Sequence, residues 1–172
     1  MKKLLVIGVV GCVLFFMTGV VTAQKPEPHA VYTDAQAEAG KIVFEERVPT
    51  RFNNRACADC HGATLAGQDG SPNVPPPSSA SADTPKAMTD GGAVAPLAGP
   101  KFMAKWGSLT TENLSERIKF AFGKDPETGA DRCGRECLDI TAYVLQFNGA
   151  KPGTQALTAD TAVEIRSIAT GH

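Results

Sequence analysis

The sequence predicts an all-α fold, and three observations carry that prediction. Apolar residues recur three and four positions apart in several separate stretches, the spacing of one helix face. A threonine that can cap a helix stands before two of the candidate helices, with Gln or Glu three residues on. No stretch alternates apolar and polar residues strongly enough to read as a strand. With 172 residues, 42% hydrophobic and 20% charged, the chain is sized for one globular domain. Nothing in the composition, with a formal net charge of −1, points to a basic nucleic-acid-binding surface.

Residues 1–23 read as a secretory signal. Lys2 and Lys3 open it, Leu4 to Val21 is apolar, and Val21-Thr22-Ala23 offers small residues for cleavage. The alternative is a retained anchor, since the run nears the length that spans a bilayer. Cys12 lies mid-run, which argues against a lipoprotein processing site. Cleavage removes both lysines, taking the 17 basic side chains to 15 against 18 acidic ones. Either way the domain is exported, to the periplasm or its equivalent, where disulfides persist. Residues 24–33 read as a polar linker holding Pro26, Pro28 and a solvated His29.

The domain proper is expected over residues 34–149. Thr33 and Gln36 form a capping-box pattern, followed by a helix to about Glu46 with a stripe of Ala39, Gly40, Val43 and Phe44. Gly40 weakens that helix, so it marks a close approach by another one. Residues 69–94 are rich in Pro, Ser, Ala and Gly, lack apolar period, and read as a long surface loop holding Met88. Phe102 and Trp106 fall four apart on one helical face; Trp106 is the only tryptophan. A helix from Thr110 or Thr111 carries Leu114, Ile118 and Phe122, and Gly123 stops it. The last strong helix spans about Arg135 to Phe147, with Ile140, Tyr143, Val144 and Phe147 on one side and Asn148-Gly149 ending it. Residues 150–172 read as a tail in which Thr161 and Glu164 cap a short helix with Ile165 and Ile168.

The chemistry concentrates in Cys57-Ala58-Asp59-Cys60-His61. In an exported chain, Cys-x-x-Cys-His predicts covalent haem attachment. Two residues between the thiols match the span of neighbouring vinyl groups, and the next histidine is placed to bind iron. Two other readings compete. A thioredoxin-like dithiol would sit at a strand-to-helix junction, and no βαβ pattern surrounds this pair. A zinc site needs two further ligands, which Cys133 and Cys137 could supply. With haem on the first pair, an oxidising compartment predicts a Cys133–Cys137 disulfide, with Cys133 outside regular helix for geometry. Phe102 and Trp106 read either as walls of the haem crevice or as ordinary core.

These elements together resemble a mono-haem class I cytochrome c over roughly residues 34–148. The matching features are Gly40 with Phe44, Cys57-x-x-Cys60-His61-Gly62, a Pro-x-Leu turn at Pro96, and an aromatic C-terminal helix. The runs Ala95 to Gly99 and Asp139 to Gly149, with Phe102, Trp106 and Arg117-Ile118, resemble cytochrome modules associated with periplasmic quinoprotein dehydrogenases. The resemblance implies a class I cytochrome c fold around one covalent haem c, with Gly40 and Phe44 crossing the C-terminal helix near Tyr143. It implies that His61 is the proximal iron ligand and donates its other ring N–H to the Pro96 carbonyl. It also implies a redox protein as partner, such as a quinoprotein dehydrogenase, with membrane contact only through a retained signal segment.

One departure stands out. Related modules end the Arg117-Ile118 helix in Met-Pro, the methionine being the distal ligand, whereas this chain has Phe122-Gly123. Met88 and Met103 are the other methionines of the mature domain, and Met103 ranks first as a distal candidate because it adjoins Phe102. The expected function is one-electron carriage between a periplasmic dehydrogenase and a downstream acceptor. The alternatives are a haem module whose open distal site binds small ligands or peroxide, and a structural zinc module.

Overall fold

The computed structural model describes residues 30–50, 55–67 and 94–172. The signal segment 1–23, the greater part of the linker and nearly all of the 69–94 loop, with Met88, lie outside the described residues. Among the described residues there are five α-helices and a short 3₁₀ turn, and no strand. They are α1 (Asp34–Glu45), α2 (Cys57–His61), α3 (Gly99–Trp106), α4 (Thr111–Phe122) and α5 (Arg135–Phe147), with the 3₁₀ turn at Ile165–Ser167. None of these helices is long and apolar enough to cross a membrane.

Local sequence explains the helix bounds. The Thr33 hydroxyl accepts from the Gln36 N–H at 3.2 Å, and the Glu46 N–H closes α1 on Ile42. Thr110 caps α4 through the Asn113 N–H, and the Asn113 side chain accepts in return from the Thr110 N–H. Gly123, at φ 76°, ends α4.

The α1–α5 crossing organises the core. Gly40 packs on the α5 backbone at Asp139 and Ile140, and Phe44 meets Tyr143 with ring centroids 5.4 Å apart. This is the close approach that Gly40 predicts. The crossing buries Ala37 and Phe44 on α1 and Ile140, Val144 and Leu145 on α5. Ala39 and Val43 are only half-buried; the inward face of α1 turns instead through Gln36, Ala37, Gly40 and Phe44.

Two expected capping boxes form differently. The Gln36 side chain does not reach back to Thr33. It turns inward, donating to the Leu157 carbonyl at 2.9 Å and accepting from the Leu157 N–H at 2.7 Å. Near the C-terminus the Thr161 hydroxyl takes the Thr158 N–H, and Glu164 pairs with Arg166 at 3.0 Å, so only a 3₁₀ turn forms there.

Residues 150–172 form a packed strap. Its backbone joins Tyr32 (Gly153 N–H to the Tyr32 carbonyl, 2.7 Å), then Thr111 (its N–H to the Val163 carbonyl, 2.9 Å). Ile165 and Arg166 then donate to the Leu109 and Gly107 carbonyls, and Thr170 and Gly171 return to the Asn148 carbonyl. Leu157, Ile165, Ile168 and Ala169 are buried along it. The far end of the linker joins in: Tyr32 is wholly buried, and its hydroxyl donates to the Ala150 carbonyl at 2.6 Å.

Candidate functional site

Helix α2 is little more than one turn, and a carboxylate begins it. The Ala56 N–H donates to the Asp59 side chain at 3.3 Å, and Arg47 meets the same oxygen at 3.3 Å. The turn puts Cys57 and Cys60 three residues apart on one face, with His61 directly after them. Both thiols are free and half-buried. Burial, with Cys60 nearby and only partly offset by a backbone hydrogen bond, pushes the Cys57 thiol up to about 11. A redox dithiol requires the opposite shift, toward thiolate at neutral pH.

His61 is held from the side opposite its free nitrogen. Its Nδ1 lies 3.0 Å from the Ala95 carbonyl, which can only accept, so Nδ1 carries the proton and Nε2 the lone pair. Burial first, then the Arg117 charge, lowers the imidazole's affinity for a second proton, against the pull of the Ala95 carbonyl. The ring is therefore poised as a neutral donor. Phe44 stands 6.4 Å from it, so one aromatic residue touches both the α1–α5 crossing and the site.

The acceptor differs by one residue from the expected Pro96 carbonyl. The Leu97 N–H is bound to the Leu65 carbonyl at 2.8 Å, which sets the turn so that the peptide joining Ala95 to Pro96 faces His61. Pro96 thus belongs to the acceptor peptide, but its own carbonyl is not the partner. Gly67, at φ 72°, lets the two segments meet: a Cβ there would stand 2.8 Å from the Pro96 nitrogen.

Phe102 and Trp106 are buried in the core with rings nearly parallel, 25° apart in tilt and 6.5 Å between centroids. Met103 points elsewhere. Its side chain lies against Gly107 and Gly171, on the strap side of α3, beside an open cavity of about 480 Å³ that Arg166 and Thr170 also line. The candidate distal ligand is therefore turned toward the C-terminal strap. Phe122 is buried at the end of α4.

Cys133 and Cys137 are joined, with Cα atoms 5.7 Å apart. Cys133 precedes Gly134, the residue that caps α5, so it lies outside regular helix as its geometry requires. The pairing withdraws both sulfurs from a four-cysteine metal site with Cys57 and Cys60.

Sequence reasoning missed Gln36 as a core residue and Asn148 as more than a helix stop. Asn148 is wholly buried, and its side chain binds both Leu97 and Gly99. The only sequence signal was a polar residue at the end of an apolar helix face. Comparison with known proteins finds no matching family model, no matching characterised protein and no matching solved structure.

Proposed function

We propose that this chain is an exported mono-haem c-type cytochrome of class I architecture that carries one electron at a time. One observation carries the reading. Two free thiols three residues apart on a single turn precede a histidine whose Nδ1–H is engaged and whose Nε2 lone pair is available. The donor set suits haem c, which would be held by thioethers to Cys57 and Cys60 and by His61 on iron. The group supplies the one-electron couple; the chain's part is to hold it, tune it and limit access to it. The raised Cys57 thiol argues against a redox dithiol, and the Cys133–Cys137 pair argues against zinc. The resemblance to cytochrome modules of quinoprotein dehydrogenases supports a periplasmic dehydrogenase as electron donor.

The test is covalent attachment. Protein made alongside a haem-attachment system should keep its haem through acid-acetone extraction. The double variant Cys57→Ala, Cys60→Ala should lose it. Extractable haem, or zinc in its place, overturns the reading.

A second reading has its own support. Phe122 occupies the usual methionine position, and the Met103 side chain packs on the strap. Both favour a haem with an open sixth position that binds small ligands or peroxide.

A further inference from the structure

Asn148 ends α5 far from Cys57, Cys60 and His61 in sequence, yet it grips the segment that holds His61. Its side chain is wholly buried. Nδ2 donates to the Leu97 carbonyl at 2.9 Å and to the Val144 carbonyl at 2.8 Å. Oδ1 accepts from the Gly99 N–H at 3.0 Å. Both donors and one acceptor are thus used, and the Val144 bond fixes the side chain to α5 itself.

The grip bears on one short stretch. Leu97 is held at both ends: its N–H by the Leu65 carbonyl at 2.8 Å, its carbonyl by Asn148. Gly99 is held two residues further on. The Ala95 carbonyl, two residues before Leu97, accepts from His61 Nδ1 at 3.0 Å. Leu65 lies four residues after His61, so the loop leaving α2 and the segment receiving His61 are tied to each other and to the end of α5. Behind Asn148, its own carbonyl accepts from the Thr170 and Gly171 N–H groups at 2.9 and 3.0 Å, which seats the strap on the same residue.

We infer that Asn148 is a positioning residue for His61, acting through residues 95–99 to fix the carbonyl that accepts the hydrogen bond from Nδ1–H. The inference rests on the proposed haem reading. A hydrogen bond from Nδ1 makes the imidazole a stronger electron donor to a metal on Nε2. Stronger donation stabilises ferric over ferrous iron, so a slack acceptor raises the reduction potential. Buried polar networks of this kind hold position only while every member is satisfied.

The experiment uses the full chain carrying its haem. Asn148→Leu keeps the branched shape, with somewhat more bulk, and removes both donors and the acceptor. Asn148→Ser supplies one shorter hydroxyl in place of the amide and is the milder change. Covalent haem in the parent is checked first, and its absence sinks the haem reading rather than this inference. With haem retained, the reduction potential should rise in both variants, further in Asn148→Leu. Lost stability with the parent's potential would make Asn148 a structural residue only and overturn the inference. Should neither variant fold, hydrogen exchange on the parent decides. The Asn148 side-chain N–H and the His61 Nδ1–H should share one protection if they open as a unit, and separate protections overturn the inference.

Discussion

Gly40 has no room for a Cβ, because that atom would overlap the Asp139 carbonyl on α5. The contact is backbone on both sides, so no side chain can swing clear. Gly40→Ala should therefore destabilise the protein by about 3 kcal/mol, the upper part of the usual overpacking cost, despite the better helix propensity of alanine. Urea unfolding of parent and variant measures it, and equal midpoints would show that the crossing tolerates a shift.

The same stretch of α5 buries a carboxylate. Asp139 is 5% exposed, its Oδ1 has no hydrogen-bond partner, and Oδ2 lies 3.6 Å from the exposed Arg135. Burial raises its pKa, with Glu136 adding and Arg135 and Gln36 opposing. Between the unfolded value of 3.8 and the higher folded one, the native state holds a proton that the unfolded chain has released. This group's contribution is thus complete below 3.8 and lost as pH rises through the folded value. Asp139→Asn should melt above the parent near neutral pH, with the gap closing as pH falls to about 4. Thermal melts across that range check it; a gap that widens on acidification contradicts the assignment.

The Cys133–Cys137 bond closes a very short loop. Loop-closure entropy for so few residues gives a stabilisation of about 2 kcal/mol, small beside that of long-range bridges. Peptide mass spectrometry of unreduced, alkylated protein should show neither thiol modified. Cys133→Ala with Cys137→Ala should fold with a modestly lower midpoint.

Phe122 offers iron no lone pair, and Met103 faces the strap. With the proposed haem attached, the ferrous protein is expected to bind carbon monoxide rapidly and to have a potential below that of His/Met cytochromes. Phe122→Met should raise the potential and slow that binding. A parent that is low-spin, refuses carbon monoxide and loses both properties on Met103→Ala would identify Met103 as the ligand instead.

The Cys-x-x-Cys-His run, Thr33 as the cap of α1, the start of α4, the α5 bounds and the need for a small residue at Gly40 were all legible in the sequence. Each is local: caps, turns and helical periodicity act over three or four residues, and a glycine inside a helix already signals a neighbour. What needed the tertiary structure is long-range and mostly backbone. Neighbouring carbonyls look alike in sequence, and only the folded turn presents that of Ala95, not Pro96, to the His61 Nδ1–H. Gln36 matches a capping box by type, yet a partner 121 residues away draws its side chain inward. One helical step already turns Met103 off the Phe102–Trp106 face in the sequence; that its side chain then packs against the strap at Gly171 is decided only by the fold. Asn148 reads as a helix stop because stopping a helix is local; its hold on Leu97 and Gly99 spans about fifty residues and exists only once α5 and the 95–99 segment have packed.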